Sequence, residues 1–146
     1  MAEDVTFVDS GEHQILAVDR DGKLYYAGWR TVNGFGQGGG NSPVVAPLMA
    51  GVKKADSYFD NVVILSTDGC AYVYGLNTGN ALGSICASGT PKQVLEGVLD
   101  VAAGYDFTAY LMEDGTLRVQ GSNTHGQAGN GTTGGSVSMS EIELPM

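Results

Sequence analysis

The chain has 146 residues, of which 42% are hydrophobic and 16% charged, and this length and composition fit one globular domain. A net charge of −9, from 16 acidic and 7 basic residues, argues against direct nucleic-acid binding, which draws its affinity from Lys and Arg. No apolar run reaches the ~18 residues of a membrane span, and the acidic start, Met1–Asp4, does not have the features of a signal peptide. We therefore expect no membrane contact and an intracellular or virion-associated location.

The first third of the chain contains a pattern that recurs twice. Asp21-Gly22 is followed by a short β-prone segment that ends at Gly28, and another glycine, Gly36, lies eight residues further on. An Asp-Gly pair between apolar segments is typical of a β-hairpin, because the tight turn needs positive φ. The pattern predicts two strands joined at this turn.

The second third repeats the pattern, with Asp68-Gly69 at a spacing of 47 residues. Here we predict four strands, at Val52–Ala55, Val62–Thr67, Tyr72–Gly75 and Gln93–Leu95. No segment has an apolar period of about 3.6 residues, so we expect almost no helix. Both cysteines, Cys70 and Cys86, lie in this repeat without the spacing of a zinc site. Free thiols are favoured over a disulfide, although the sequence leaves their state open.

The last third has Asp114-Gly115, 46 residues beyond the second pair. Strand-rich repeats with a period of roughly 40–50 residues are typical of β-propeller blades. We predict an all-β fold of three four-stranded blades, at 1–51, 52–97 and 98–146, in one continuous domain. Propellers have about 4–8 blades, so we expect the ring to be completed by oligomerisation or by a partner.

Several segments resemble the regulator of chromosome condensation repeat. The string Gly121–Gly131, with Asp114–Leu117 before it, is similar to that repeat, and so are Val98–Gly104 and, more weakly, Gly75–Asn77. The resemblance implies a β-propeller. Members of the family include a nuclear exchange factor for a small GTPase, a plant ultraviolet-B photoreceptor and secreted β-lactamase inhibitors.

This sequence departs from the family pattern at informative positions. The family's histidine near the start of the second strand is replaced by Gln14, Asn61 and Phe107. The photoreceptor needs clustered tryptophans, and Trp29 is the only one here. The resemblance therefore carries the fold without a particular function.

The loops between the first and second strands should leave the same face as the long loops between the third and fourth. Exposed aromatic side chains with a polar rim are typical of protein-binding sites. We predict a partner-binding role for the residues of this face: Tyr58, Phe59, Asp60, Tyr105, Asp106, Phe107 and Trp29. The alternative is packing between blades, above all for Phe107. We assign a structural role in turns to Asp21, Gly22, Asp68, Gly69, Asp114 and Gly115.

Catalytic and cofactor chemistry finds little support in the sequence. His13 and His125 are the only histidines and are far apart in the repeat, and Gly34–Gly40 lacks the Lys-Ser/Thr of a phosphate loop. We predict no catalytic residues, no metal and no cofactor. The sequence favours a non-catalytic protein-interaction or structural assembly module that forms homo-oligomers, and a virion accessory or decoration protein would suit this character. The alternatives are a fragment of a guanine-nucleotide exchange regulator and a carbohydrate-binding propeller.

Overall fold

A computed structural model describes residues 4–30, 40–59, 61–75 and 88–145, and within them it is all-β. Twelve strands follow one another along the chain: β1 Val5–Ser10, β2 Gln14–Asp19, β3 Leu24–Arg30, β4 Gly40–Met49, β5 Val52–Tyr58, β6 Asn61–Ser66, β7 Ala71–Gly75, β8 Ser88–Leu95, β9 Val98–Ala103, β10 Phe107–Met112, β11 Leu117–Ser122 and β12 Ser136–Ile142. No helix in these residues is long and apolar enough to cross a membrane.

The strands form three four-stranded antiparallel sheets, each paired in chain order. We call them blade 1 (β1–β4), blade 2 (β5–β8) and blade 3 (β9–β12). The first strands of successive blades lie beside one another, β1 against β5 and β5 against β9. The predicted all-β partial propeller is confirmed, and the four strands of blade 2 lie where they were predicted, although β8 begins at Ser88, before Gln93.

The three Asp-Gly turns share one geometry. In blade 1 the Gly22 N–H donates to the Asp19 carbonyl, and the Asp19 N–H donates to the Lys23 carbonyl. Only the glycine of each pair has positive φ, 75° at Gly22, 80° at Gly69 and 84° at Gly115. The connection is thus a three-residue loop that ends in a left-handed glycine, rather than a two-residue turn with two left-handed residues.

Successive blades are joined by recurring backbone hydrogen bonds. The Val52 N–H donates to the Gly22 carbonyl, and the Val98 N–H donates to the Gly69 carbonyl. The corresponding carbonyl of blade 3, on Gly115, accepts no such bond from the described residues, and a Cβ built on Gly115 meets no atom within 4 Å. The blade-joining position of blade 3 is therefore open.

The hydrophobic core consists of two interfaces on either side of blade 2. Val62 and Ile64 pack towards blade 1, whereas Val63 and Leu65 pack towards blade 3. All four side chains are at most 1% exposed. The outer blades each have one covered face and one bare face. The ring is not closed within this chain.

The bare faces carry apolar side chains at positions that are buried in blade 2. Ile15 of blade 1 corresponds to Val62 in the repeat and is 50% exposed. Leu111 of blade 3 corresponds to Leu65 and is 41% exposed. An internal blade covers these positions, and an end blade leaves them in contact with water.

Turn carboxylates are stabilised in their charged form by the hydrogen bonds that shape the turns. In blade 1 the carboxylate is Asp19, whose Oδ1 accepts the N–H groups of Lys23 at 2.9 Å and Asp21 at 3.0 Å. The bond from the Lys23 N–H is the main reason why the pKa of Asp19 is lowered. The side-chain bonds from Ser66 and from Thr116 similarly lower the pKa values of Asp68 and Asp114. Asp21 itself is exposed, and Asp19 orders the first turn in its place.

We predict that Asp19→Asn removes an acid-sensitive part of the stability. A carboxyl whose pKa is lowered on folding stabilises the folded state above its unfolded pKa of about 3.9 and loses this effect as the pH falls through its folded pKa. Wild type should therefore be more stable than Asp19→Asn at about pH 7, and the difference should vanish towards about pH 2. Urea unfolding followed by circular dichroism measures both curves. Asp21→Asn is the matched control and should change neither, and parallel curves for wild type and Asp19→Asn would contradict the assignment.

Candidate functional site

A cleft of about 560 Å³ opens where the loops between first and second strands meet at one end of the blades. We call it the aromatic cleft, and it is lined by Ser10, Gly11, Glu12, Ser57, Tyr58, Phe59 and Tyr105. All three blades contribute to it, so it depends on their packing.

Three aromatic rings form one wall of the cleft. The centroids of Tyr58 and Tyr105 are 5.8 Å apart, with ring planes at 75°, and those of Phe59 and Tyr105 are 5.8 Å apart at 56°. The Tyr58–Tyr105 pair is edge-to-face, an arrangement that is favourable between aromatic rings, and the Phe59–Tyr105 pair is tilted. Tyr58 is 48% exposed and Tyr105 is 54% exposed, so the cluster holds its own rings in place and still presents them to solvent.

Tyr58 occupies a position that is glycine in the other two blades. The Gly104 N–H donates to the Phe107 carbonyl, the Gly11 N–H donates to the Gln14 carbonyl, and Tyr58 pairs with Asn61 in the same register. A Cβ on Gly104 would lie only 2.3 Å from Cε1 of Phe107, because that ring packs against the glycine. Blade 2 has the shorter Asn61 at the Phe107 position, which leaves room for a side chain on Tyr58.

Hydrogen bonds between blades fix the strands beneath the cleft. The Ser57 hydroxyl donates to Asp9 Oδ2 at 2.8 Å, which joins blade 2 to blade 1. One junction further on, the Ala103 N–H donates to Asp56 Oδ2 at 2.9 Å. Asp9 and Asp56 are equivalent in the repeat, so the same acid-to-neighbour contact is made twice.

The structure brings only some of the predicted partner-binding residues together. Tyr58, Phe59 and Tyr105 line the cleft, whereas the ring of Phe107 packs against Gly104 of its own blade. The Asp106 carbonyl accepts the Ser122 N–H, and its Oδ1 is buried without a hydrogen-bond partner in the described residues.

The remaining two predicted residues are not part of the described wall. The backbone of Trp29 pairs with Asn41 in blade 1, and its side chain lies outside the description. Asp60 is itself outside the described residues. Sequence reasoning missed Glu12 as a lining residue, although it occupies the same repeat position as Phe59 and Tyr105.

Side chains suited to metal binding do not cluster in the described ranges. No group of three or more His, Cys, Asp or Glu residues lies close enough there to hold a metal ion. Cys70 is free and half-buried, and burial raises the pKa of its thiol, which disfavours the reactive thiolate. Cys86 and residues 34–39 of the glycine-rich stretch lie outside the description.

The long loop after β11 is organised around a buried asparagine. Asn123 is 1% exposed, and its Oδ1 accepts the Ala128 N–H at 2.9 Å. Its Nδ2 donates to the Thr132 carbonyl at 3.2 Å, while its backbone bonds to Gly134 and Gly135. This network closes the loop between the third and fourth strands of blade 3.

Residues 98–127, which include this asparagine, match the model of the regulator of chromosome condensation (RCC1) repeat. The first three strands of blade 3 are thus similar to an RCC1 repeat. The fold of the whole chain agrees, because solved propellers of that family superimpose on all three blades. The yeast RCC1 protein Prp20, solved with Kap60 bound to it, matches with a TM-score of 0.81 and 19% identity over 97% of this chain and 36% of its own.

Two further solved structures give the same result. Prp20p from Saccharomyces cerevisiae, a protein with binding properties to Gsp1p and histones, matches with a TM-score of 0.81 and 18% identity over 96% of this chain and 38% of that one. Human WBSCR16 matches with a TM-score of 0.74 and 21% identity over 97% of this chain and 38% of that one. This chain thus spans between 36% and 38% of the length of these three proteins.

We predict that the need for glycine at position 104 depends on the ring of Phe107, because blade 2 has Tyr58 and Asn61 at the corresponding positions. Gly104→Ala forces the Phe107 ring aside and should cost about 1–3 kcal/mol of unfolding free energy. In a Phe107→Asn background, which copies Asn61, the same change should cost less than about 1 kcal/mol. Urea unfolding of the two single variants and the double variant measures the coupling. Additive effects would show that the ring does not determine the need for glycine.

Proposed function

We propose that this chain is a non-catalytic protein-interaction module that binds its partner at the aromatic cleft. The observation that carries the proposal is the exposed three-ring wall of Tyr58, Phe59 and Tyr105, built across blades 2 and 3. Half-exposed tyrosines offer a large contact area at a small cost in side-chain entropy, and they are enriched in binding hot spots.

The position of Tyr58 supports this proposal. Glycine at this position is compatible with the blade fold, as Gly11 and Gly104 illustrate, so the fold itself does not require a tyrosine here. The exposed ring adds apolar surface to solvent, which has no evident benefit for folding. Partner binding gives that surface a use.

The alternative function is that of an exchange regulator for a small GTPase. Its support is the fold likeness to Prp20p at 18% identity, which extends to 38% of that protein. Propeller folds host unrelated functions, so this likeness does not choose among them. Nucleotide release from a panel of small GTPases would test it directly.

We predict that Tyr58→Ala with Tyr105→Ala abolishes specific capture of a partner. Immobilised wild type, the double variant and a matched control are exposed to the same extract, and the retained proteins are compared by quantitative mass spectrometry. The control is Val45→Ala, which removes an equally exposed apolar side chain on blade 1, away from the cleft. Truncating a hot-spot residue costs about 2 kcal/mol or more, so each specific partner should drop by about 30-fold or more.

The comparison has one decisive contrast. A partner retained by wild type and Val45→Ala but lost from the double variant supports the cleft. Equal retention by all three proteins removes the cleft from consideration. Unchanged circular dichroism of the double variant excludes unfolding as the cause of any loss.

The bare end faces support a second proposal, that two copies of the chain complete the ring. The open face of blade 1 corresponds to the face of blade 2 that meets its predecessor, and the open face of blade 3 corresponds to the one that meets its successor. Each end thus presents the opposite half of one recurring interface, including the open Gly115 carbonyl. Two copies of three blades would give a closed ring of six, within the usual range of about 4–8.

We predict a dimer of twice 15.1 kDa in light scattering across a dilution series. Leu111→Asp places a charge in the proposed interface and should give monomers, whereas Leu144→Asp, on an exposed residue beyond β12, should not. A larger assembly would instead favour a structural role such as decoration of a virion. A wild type that stays monomeric at every concentration would overturn ring completion by a second copy.

A further inference from the structure

Among the described residues that line the aromatic cleft, one side chain is charged, and it is acidic. Of the seven lining residues, Glu12 is charged and exposed, and none is Lys or Arg. Two more carboxylates are close in the chain: Asp9 lies under the cleft through its bond to Ser57, and Asp106 follows Tyr105 with a buried, unpartnered Oδ1 among the described residues. The acidic surroundings match the net charge of −9 and favour a cation over a neutral or anionic group.

The rings of the wall present suitable faces to such a cation. Tyr58 and Tyr105 meet in an edge contact at 75°, and because the two residues are 48% and 54% exposed, part of their ring surface stays open to a group from solvent. A cation within about 6 Å of a ring centroid is attracted by the negative face of the ring.

Another tyrosine of the same chain already has a cation over its ring face. The Nζ of Lys23 lies 5.4 Å from the centroid of Tyr25, over its ring. Tyr58 and Tyr105 have no lysine or arginine among the residues that line their cleft. Their exposed faces are therefore available for a cation supplied by another molecule.

We propose that the aromatic cleft binds an arginine or lysine side chain presented by the partner protein. This proposal rests on the proposed function and names the chemistry of its partner. The alkyl part of the side chain packs on Tyr58 and Phe59, and the charged head lies against a tyrosine face with Glu12 as its acceptor. A guanidinium group fits best, because it stacks on aromatic rings and also donates to carboxylates.

The test is an NMR titration of the whole, isotope-labelled chain with short glycine-serine peptides. One peptide carries a single arginine, the second has citrulline, which has nearly the same shape without the charge, and the third has a pair of prolines. We expect the arginine peptide to shift the amide signals of Tyr58, Phe59 and Tyr105. Binding of the citrulline peptide should be weaker by a factor between about 2 and 30, the range that a cation over an aromatic face contributes.

Three variants separate ring electrostatics from simple packing. Tyr105→Phe keeps the aromatic face and should retain binding of the arginine peptide. Tyr105→Leu keeps apolar bulk without that face, and it should bind the arginine peptide as weakly as wild type binds the citrulline peptide. Glu12→Gln removes the acceptor charge. Binding by this variant should depend less on salt, because salt screens the attraction between exposed charges, with a screening length of about 10 Å at 0.1 M.

The outcomes distinguish this inference from the proposed function. Equal binding of arginine and citrulline peptides, or preference for the proline peptide, would overturn the cationic partner. The cationic partner would also be overturned if partner capture depends on Tyr58 and Tyr105 but the arginine peptide leaves their signals unchanged. The protein-binding role would then stand. Failure of both experiments would overturn the inference and the proposed function together.

Discussion

Burial of both faces of blade 2 is the constraint on which the rest of the structure depends. Consecutive residues of β6 point to opposite sides, so Val62 enters one interface and Val63 the other. β6 is buried at every position and apolar at its four central ones, so it is stable only between two layers, and blades 1 and 3 supply them. Each outer blade has only one neighbouring blade, so its other face is bare. This explains why Ile15 and Leu111 are exposed.

The aromatic cleft is a further consequence of this stacking. Its walls come from three different blades, and the bonds from Ser57 to Asp9 and from Ala103 to Asp56 fix the spacing of their first strands. The loops above need no regular structure of their own, because rigid strand ends position them. The recurring acid-to-neighbour contact stops at blade 3, where Ala102 takes the place of the aspartate. Blade 3 therefore lacks this one contact to a next blade, although its Gly115 carbonyl is open for the other recurring bond.

The parts of the fold that the sequence predicts are those set by local chemistry. Asp68-Gly69 marks a hairpin because the glycine must be left-handed, and its recurrence at 47 and 46 residues determines the period. The site is less predictable, since it depends on register. Tyr58 and Tyr105 look equivalent by residue type, yet the structure aligns Phe59 with Tyr105 and Tyr58 with Gly104. The structure places the Phe107 ring against Gly104 and adds Glu12 to the cleft wall, and residue type alone shows neither contact.

Departures from the repeat are more informative about function than the repeat itself. The position of Tyr58 is glycine in the other two blades, where a ring or an amide side chain packs against it. A larger residue at this position therefore needs a compensating change nearby. Asn61 supplies that change and lets Tyr58 project a half-exposed ring. Two linked substitutions that add exposed apolar surface oppose the hydrophobic driving force of folding, which is proportional to the apolar area removed from water. We propose that a partner which covers the ring offsets their cost, and that Glu12 in the cleft lining favours a cationic group on that partner.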